Sequence, residues 1–130
     1  MLIGNGDMHL KNWSLLYPDG RTPVLMSPAY DFVETSPYIA GGKLALNFGG
    51  SNNLGGITGD HVQRFTDTAR LSARPVWQIV REAVEWTAAA WKILDQKDLL
   101  PLEIRNAIDS QIQTAIANTD GGNVPGSVGT

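Results

Sequence analysis

The chain contains no cysteine. Disulfides and thiolate metal sites are therefore excluded, and a reducing compartment is the consistent setting. It also has no run of Lys or Arg, and with 10 basic against 13 acidic residues its net charge is −3. The dense basic surface that neutralises nucleic-acid phosphates is missing, so direct nucleic-acid binding is disfavoured. No apolar run approaches the roughly 20 residues of a membrane span, and the N-terminus shows no basic-then-apolar signal pattern. A cytoplasmic protein without membrane contact is the expectation.

What is present suits one domain: 130 residues, 42% of them hydrophobic, can bury a core. Three zones follow one another. Residues 1 to about 56 are rich in Gly, Pro and Asn between short apolar runs, which reads as strands and functional loops. Residues 57 to 117 carry helical periodicity. Residues 118–130, "NTDGGNVPGSVGT", lack large apolar anchors and read as a flexible tail.

In the first zone "WSLLY" and "PVLM" flank Pro18-Asp19-Gly20. Proline presets its φ and glycine tolerates positive φ, so a β-hairpin is expected here. "KLALNF" reads as a short strand or extended segment within a glycine-rich cluster. In the second zone a short helix is expected near residues 58–70. Ser72 is a plausible N-cap for a helix of about 20 residues. Its apolar positions Val76, Ile79, Val80, Ala83, Val84, Thr87, Ala90, Trp91 and Leu94 recur at steps of three and four, as a buried stripe does. Pro101 suits a helix start, and Ile104, Ile108, Ile112 and Ile116 form a second stripe. Each tryptophan reads as a core aromatic, and Trp86 falls beside the main stripe. The helices should form the platform on which the loops of the first zone are held.

The chemistry concentrates in "GDMHLKNWSLL". Phosphoryl transfer needs a carboxylate near the attacking hydroxyl and oxygen ligands that hold Mg²⁺ on the phosphates. Kinase-type sites place the carboxylate and an amide ligand on one loop as D-x-x-x-x-N. Asp7 and Asn12 have that spacing. The hairpin comes next, and the chain leaving it reads "SPAYDFV", which delivers Asp31 between Tyr30 and Phe32. A D-x-x-x-x-N spacing alone is common; followed by a hairpin and an apolar-flanked acid, it is far more specific. The plain alternative for Asp7 and Asn12 is loop capping.

Together "GNGDMHLKNWSLL", "LMSPAYDFV" and "KLALNFGG" resemble the C-terminal part of HipA-like serine/threonine kinases, the toxins of bacterial toxin–antitoxin pairs. The resemblance extends to about residue 117. It implies an α+β, mostly helical fold: the C-terminal lobe of a protein-kinase-like architecture related to the phosphatidylinositol-3/4-kinase group, with a catalytic-loop hairpin and a helical bundle. Asp7 matches the family's catalytic aspartate, which orients or deprotonates the substrate hydroxyl. Asn12 and Asp31 match the Mg²⁺ ligands. His9 and Lys11 match positions beneath the nucleotide phosphates, and Tyr30 precedes the metal aspartate at the nucleotide site. From the residues alone, His9 could equally fix the loop backbone, and Lys11 could be a solvated surface charge.

The resemblance further implies ATP and Mg²⁺ as cofactors and a protein substrate, an aminoacyl-tRNA synthetase among the candidates. It also implies a HipB-like DNA-binding antitoxin as partner. Family members carry an N-terminal lobe with the phosphate-covering loop and a lysine that reaches ATP, and these 130 residues hold neither. The glycines at 41–56 follow the catalytic loop and read as turns. The chain is therefore expected to be a lobe of a longer kinase, or a freestanding lobe that kept the loop and lost the chemistry, and to be inactive alone. The competing readings are a small-molecule or lipid kinase fragment and a non-catalytic helical interaction module.

Overall fold

The structure is a computed structural model that describes residues 2–20, 22–39 and 41–121. Most of the expected tail, residues 122–130, lies outside the described residues. Two small antiparallel sheets come first: β1 (Leu15–Leu16) pairs with β2 (Leu25–Met26), and β3 (Lys43–Phe48) with β4 (Ser51–Asn53). Three helices follow: α1 (Gly59–Ala69), α2 (Ala73–Ile93) and α3 (Leu102–Asp120). The architecture is thus α+β.

The first hairpin stands where Pro18-Asp19-Gly20 places it. Leu15 faces Met26 and Leu16 faces Leu25, and the Gly20 N–H donates to the Tyr17 carbonyl at 3.0 Å. The second hairpin turns on Gly49 and Gly50, at φ +54° and +84°. Two consecutive positive φ values in a two-residue loop are what a type I′ turn requires, and glycine takes them without a Cβ clash. The turn returns the chain as β4, whose sequence "SNN" carries no strand pattern of its own.

Helix ends follow the local chemistry. Ser72 occupies the N-cap of α2 and Pro101 that of α3. Thr58 caps α1, and the His61 ring nitrogen Nδ1 accepts from both the Thr58 N–H and its hydroxyl. This box uses histidine in the place usually held by Glu or Gln. Helix α3 runs to Asp120 with Thr119 buried, so three residues read as tail belong to the helix.

The core lies among Leu54, Val62 of α1, Trp77 and Val84 of α2, and Ile108, Ile112 and Ala115 of α3. The face of α2 differs from the expected stripe. Trp77 is 2% exposed and Ile79 is 65% exposed. Two residues advance the helix by roughly 200°, so both cannot face inward. The stripe is centred on Trp77, Val84 and the half-buried Val80, and Ile79, Ala90 and Leu94 fall on its outer side. Nor is each tryptophan a core residue: Trp13 is exposed and Trp86 is 70% exposed. Helix α1 touches β3 through the stacked rings of Phe48 and Phe65, whose centroids lie 4.8 Å apart. Helix α2 is tied to α3 by the Trp91 indole N–H, which donates to Asp109 at 2.6 Å.

The shifted face gives a clear contrast. Val84→Asp is expected to place an unpaired charge in the core and to destabilise the chain by more than about 3 kcal/mol. Ile79→Asp should change stability by no more than about 0.5 kcal/mol. Urea melts followed by circular dichroism compare the two, and equal losses would disprove the assignment of the buried face.

Candidate functional site

The loop from Gly4 to Asn12 is pinned at its base before it presents any chemistry. The Gly4 carbonyl accepts from the backbone N–H of Thr35 at 3.2 Å and from its hydroxyl at 3.1 Å. The same hydroxyl accepts from the Gly6 N–H at 2.9 Å, and the Gly6 carbonyl accepts from the Ala45 N–H of β3 at 2.8 Å. The immediate platform of the loop is therefore Thr35 and β3, with the helices behind them. Gly4 has φ +78°, and a Cβ there would fall 2.0 Å from a carboxylate oxygen of Glu34. Glu34 is itself buried, with one oxygen accepting from the Ser36 N–H at 2.7 Å and the other without a hydrogen-bond partner.

From this base the chain enters a single 3-10 turn, Leu10–Asn12, with His9 at its N-cap. The Asn12 side-chain oxygen accepts from the His9 N–H at 3.0 Å, which closes the turn. The Asn12 amide nitrogen donates to the Asp31 carboxylate. Asn12 is 6% exposed, whereas Asp31 is exposed, so the pair has a buried amide behind an open carboxylate. Asp31 adopts φ +60°, a left-handed conformation that Asp tolerates better than most residues. The backbone reversal there turns its side chain back to the loop.

Asp7 is exposed, and one of its carboxylate oxygens lies 2.9 Å from Nε2 of His9. The histidine ring thus orients the acid, while its backbone N–H holds Asn12. Tyr30 donates its hydroxyl proton to the Lys11 carbonyl at 3.0 Å, so it accepts from the Ser14 hydroxyl at 2.8 Å. This ties the hairpin to the 3-10 turn. Lys11 is exposed beside it. A cavity of about 160 Å³ adjoins Asn12 and Tyr30, walled by Met8, Trp13, Met26 and Phe32.

The residues read from the sequence therefore gather at one place. Asp7, His9, Asn12 and Asp31 are linked by direct contacts, and Lys11 and Tyr30 flank them. Sequence reading missed Asn5, Ser14, Glu34 and Thr35. Asn5 left a faint trace, since an Asn two residues before another residue often closes an Asx turn. Thr35 lies 29 residues from the N–H it binds and left none.

A family model described as the HipA-like C-terminal domain matches residues 1–91. The chain belongs to the HipA-like C-terminal domain family. The match includes every candidate site residue together with α1 and most of α2, and it stops before α3. The HipA-like chain is 45% identical over 116 residues to "Putative kinase Y4dM" of Sinorhizobium fredii, across 87% of its own length and 28% of that protein. It is 54% identical over 37 residues to "Putative kinase" of Haemophilus influenzae, across 28% of its own length and 10% of that protein. The chain thus spans less than a third of the length of either relative. No solved structure matches it at a significant level. Among the described residues no helix is long and apolar enough to cross a membrane.

Gly4 is the test of how the HipA-like loop is seated. Gly4→Ala is expected to destabilise the chain by at least about 1–2 kcal/mol, from the left-handed backbone alone, and by more because Glu34 must move. A thermal melt unchanged by this substitution would show that the loop does not need the close approach.

Proposed function

We propose that this chain forms the catalytic-loop lobe of an ATP-dependent, Mg²⁺-requiring kinase that phosphorylates a serine or threonine of a protein, acting as the toxin of a toxin–antitoxin pair. The observation that carries the reading is the bond between the Asn12 amide and the Asp31 carboxylate, which joins two polar groups 19 residues apart beside an exposed Asp7. The kinase names of two relatives support it.

The donor set fits Mg²⁺. Among the described residues no group of three or more His, Asp and Glu side chains could hold a metal alone. A carboxylate that receives the nitrogen of a neighbouring amide, with the amide oxygen on the adjoining His9 N–H, is a sparse oxygen donor set, and it suits an ion that keeps waters and takes further ligands from phosphate. Asp31 and Asn12 would hold it, and Mg²⁺ bound there would neutralise charge on the nucleotide phosphates. The amide oxygen of Asn12 accepts one bond, from His9, and a carbonyl oxygen has two lone pairs, so it keeps one to offer.

Asp7 is the base. It accepts or orients the proton of the substrate hydroxyl as the γ-phosphoryl group passes to that oxygen and ADP leaves. His9 holds the Asp7 carboxylate so that it need not reorganise during the reaction. Lys11, exposed next to the loop, would lie beneath the nucleotide phosphates, a role that rests on the family resemblance. Tyr30 keeps the hairpin in register with the loop, and its ring helps to wall the cavity beside the site. On the hairpin Leu15, Leu16, Leu25 and Met26 are all exposed, an apolar surface that a nucleotide-binding lobe would cover. Such a lobe supplies the rest of the ATP cleft, and the 130 residues alone turn over little or nothing. A HipB-like antitoxin as partner, an aminoacyl-tRNA synthetase as substrate and a cytoplasmic setting rest on the family resemblance.

The test uses a protein that joins this chain to its nucleotide-binding lobe. Transfer of labelled phosphate from ATP to protein is expected to require Mg²⁺. Asp7→Asn should lower kcat by about 10²–10⁴-fold. Function that survives Asp7→Asn undiminished would move the chain to the class of non-catalytic interaction modules.

A further inference from the structure

Asn5 is the most enclosed polar side chain of the loop, at 3% exposure. Its side-chain oxygen accepts from the Asp7 N–H at 3.0 Å, and its amide nitrogen donates to the Asp31 carbonyl at 3.1 Å. One amide therefore grips the backbone at both acids of the site. Asp31 needs that grip because its φ of +60° is disfavoured for a residue with a Cβ. Such a conformation persists only where the surroundings over-determine it. The surroundings here are two amides: Asn5 on the Asp31 carbonyl and Asn12 on the Asp31 carboxylate. Asn12 alone would fix one carboxylate oxygen and leave the backbone free to turn.

We propose that Asn5 is a positioning residue that holds Asp31 in its left-handed conformation and sets it in register with Asp7, so that the divalent-cation site is formed before the cation arrives. This rests on the reading of Asp31 as a metal ligand. Asn5 acts through Asp31: at 3% exposure it is enclosed behind the two acids, with its amide bonded to the Asp7 N–H and the Asp31 carbonyl. Substitutions behind a metal ligand characteristically weaken metal binding 10–100-fold while the ligands themselves stay in place.

Asn5→Ala removes both bonds and leaves the Asp7 N–H and the Asp31 carbonyl without that partner, so it confounds positioning with folding. Asn5→Ser separates them. A serine hydroxyl can accept the Asp7 N–H in the same kind of turn and is too short to reach the Asp31 carbonyl. The 130-residue chain is titrated with Mn²⁺, which takes the same oxygen ligands as Mg²⁺, and the paramagnetic broadening of backbone amide signals is followed by NMR. In the wild type the signals of Asp7, Asn12 and Asp31 should broaden together. Asn5→Ser should raise the midpoint of that broadening about tenfold or more with the melting temperature held. Asp31→Ala should abolish the broadening, and adding Asn5→Ser to it should change nothing further.

A wild-type midpoint in Asn5→Ser would overturn the inference, whether or not the variant melts earlier, and would leave the metal site standing. Absence of broadening at residues 7, 12 and 31 in the wild type would overturn the metal reading, and the inference with it.

Discussion

Two side-chain amides, of Asn5 and Asn12, close the loop over Asp31, and the candidate site exists only while they do. The contacts form a circuit. The Asp7 N–H donates to Asn5, Asn5 donates to the Asp31 carbonyl, Asn12 donates to the Asp31 carboxylate, the His9 N–H donates to Asn12, and the His9 ring returns to the Asp7 carboxylate. Each bond is worth only about 0.5–1.5 kcal/mol net. Their arrangement matters more than their sum. Asn5 and Asn12 are buried, so breaking a link to either amide leaves that amide short of a partner, and the loss spreads to its neighbours. The circuit turns two distant acids into one surface without burying either acid, which leaves both free to meet ligand.

The support for this circuit can be followed inward. Thr35 and Ala45 fix the glycines of the loop, Ala45 belongs to β3, and Phe48 at the end of β3 stacks on Phe65 of α1. Beneath Phe65, Val62 and Thr66 are fully enclosed, and the core passes on through Trp77 and Val84 to Ile108 and Ile112. One route from the helices to the loop therefore runs through β3, and Thr87 of α2 also borders the pocket that Asn5 and Met8 line. The HipA-like family model covers the loop, both hairpins, α1 and most of α2, so this line of support leaves the matched region at Ile108 and Ile112 of α3.

How much of this was legible in the sequence depended on how local the physics was. The D-x-x-x-x-N spacing could be read because both residues sit on one short loop, and the first hairpin because Pro-Asp-Gly specifies its own conformation. The starts of α2 and α3 were legible at Ser72 and Pro101 for the same reason. The buried face of α2 was misjudged because the stripe of apolar steps left out Trp77, the one large ring that sets the centre of that face. Strand β4 was invisible, since "SNN" extends only because Gly49-Gly50 folds it onto β3. Asn5, Glu34 and Thr35 were overlooked because a neighbour of each that matters to the loop (Asp31, Gly4 and Gly6 respectively) lies on a segment that approaches only in three dimensions.

The central claim is that Asn12 and Asp31 together hold a divalent ion on a triphosphate. A crystal structure of the chain joined to the nucleotide-binding lobe proposed for it, with Mg²⁺ and a non-hydrolysable ATP analogue, tests it most directly. The account requires a carboxylate oxygen of Asp31 and the amide oxygen of Asn12 among the Mg²⁺ ligands, at about 2.0–2.1 Å. It also requires the Asp7 carboxylate to be open toward the γ-phosphate. A metal held by other residues, with Asn12 and Asp31 bonded only to each other, would contradict it.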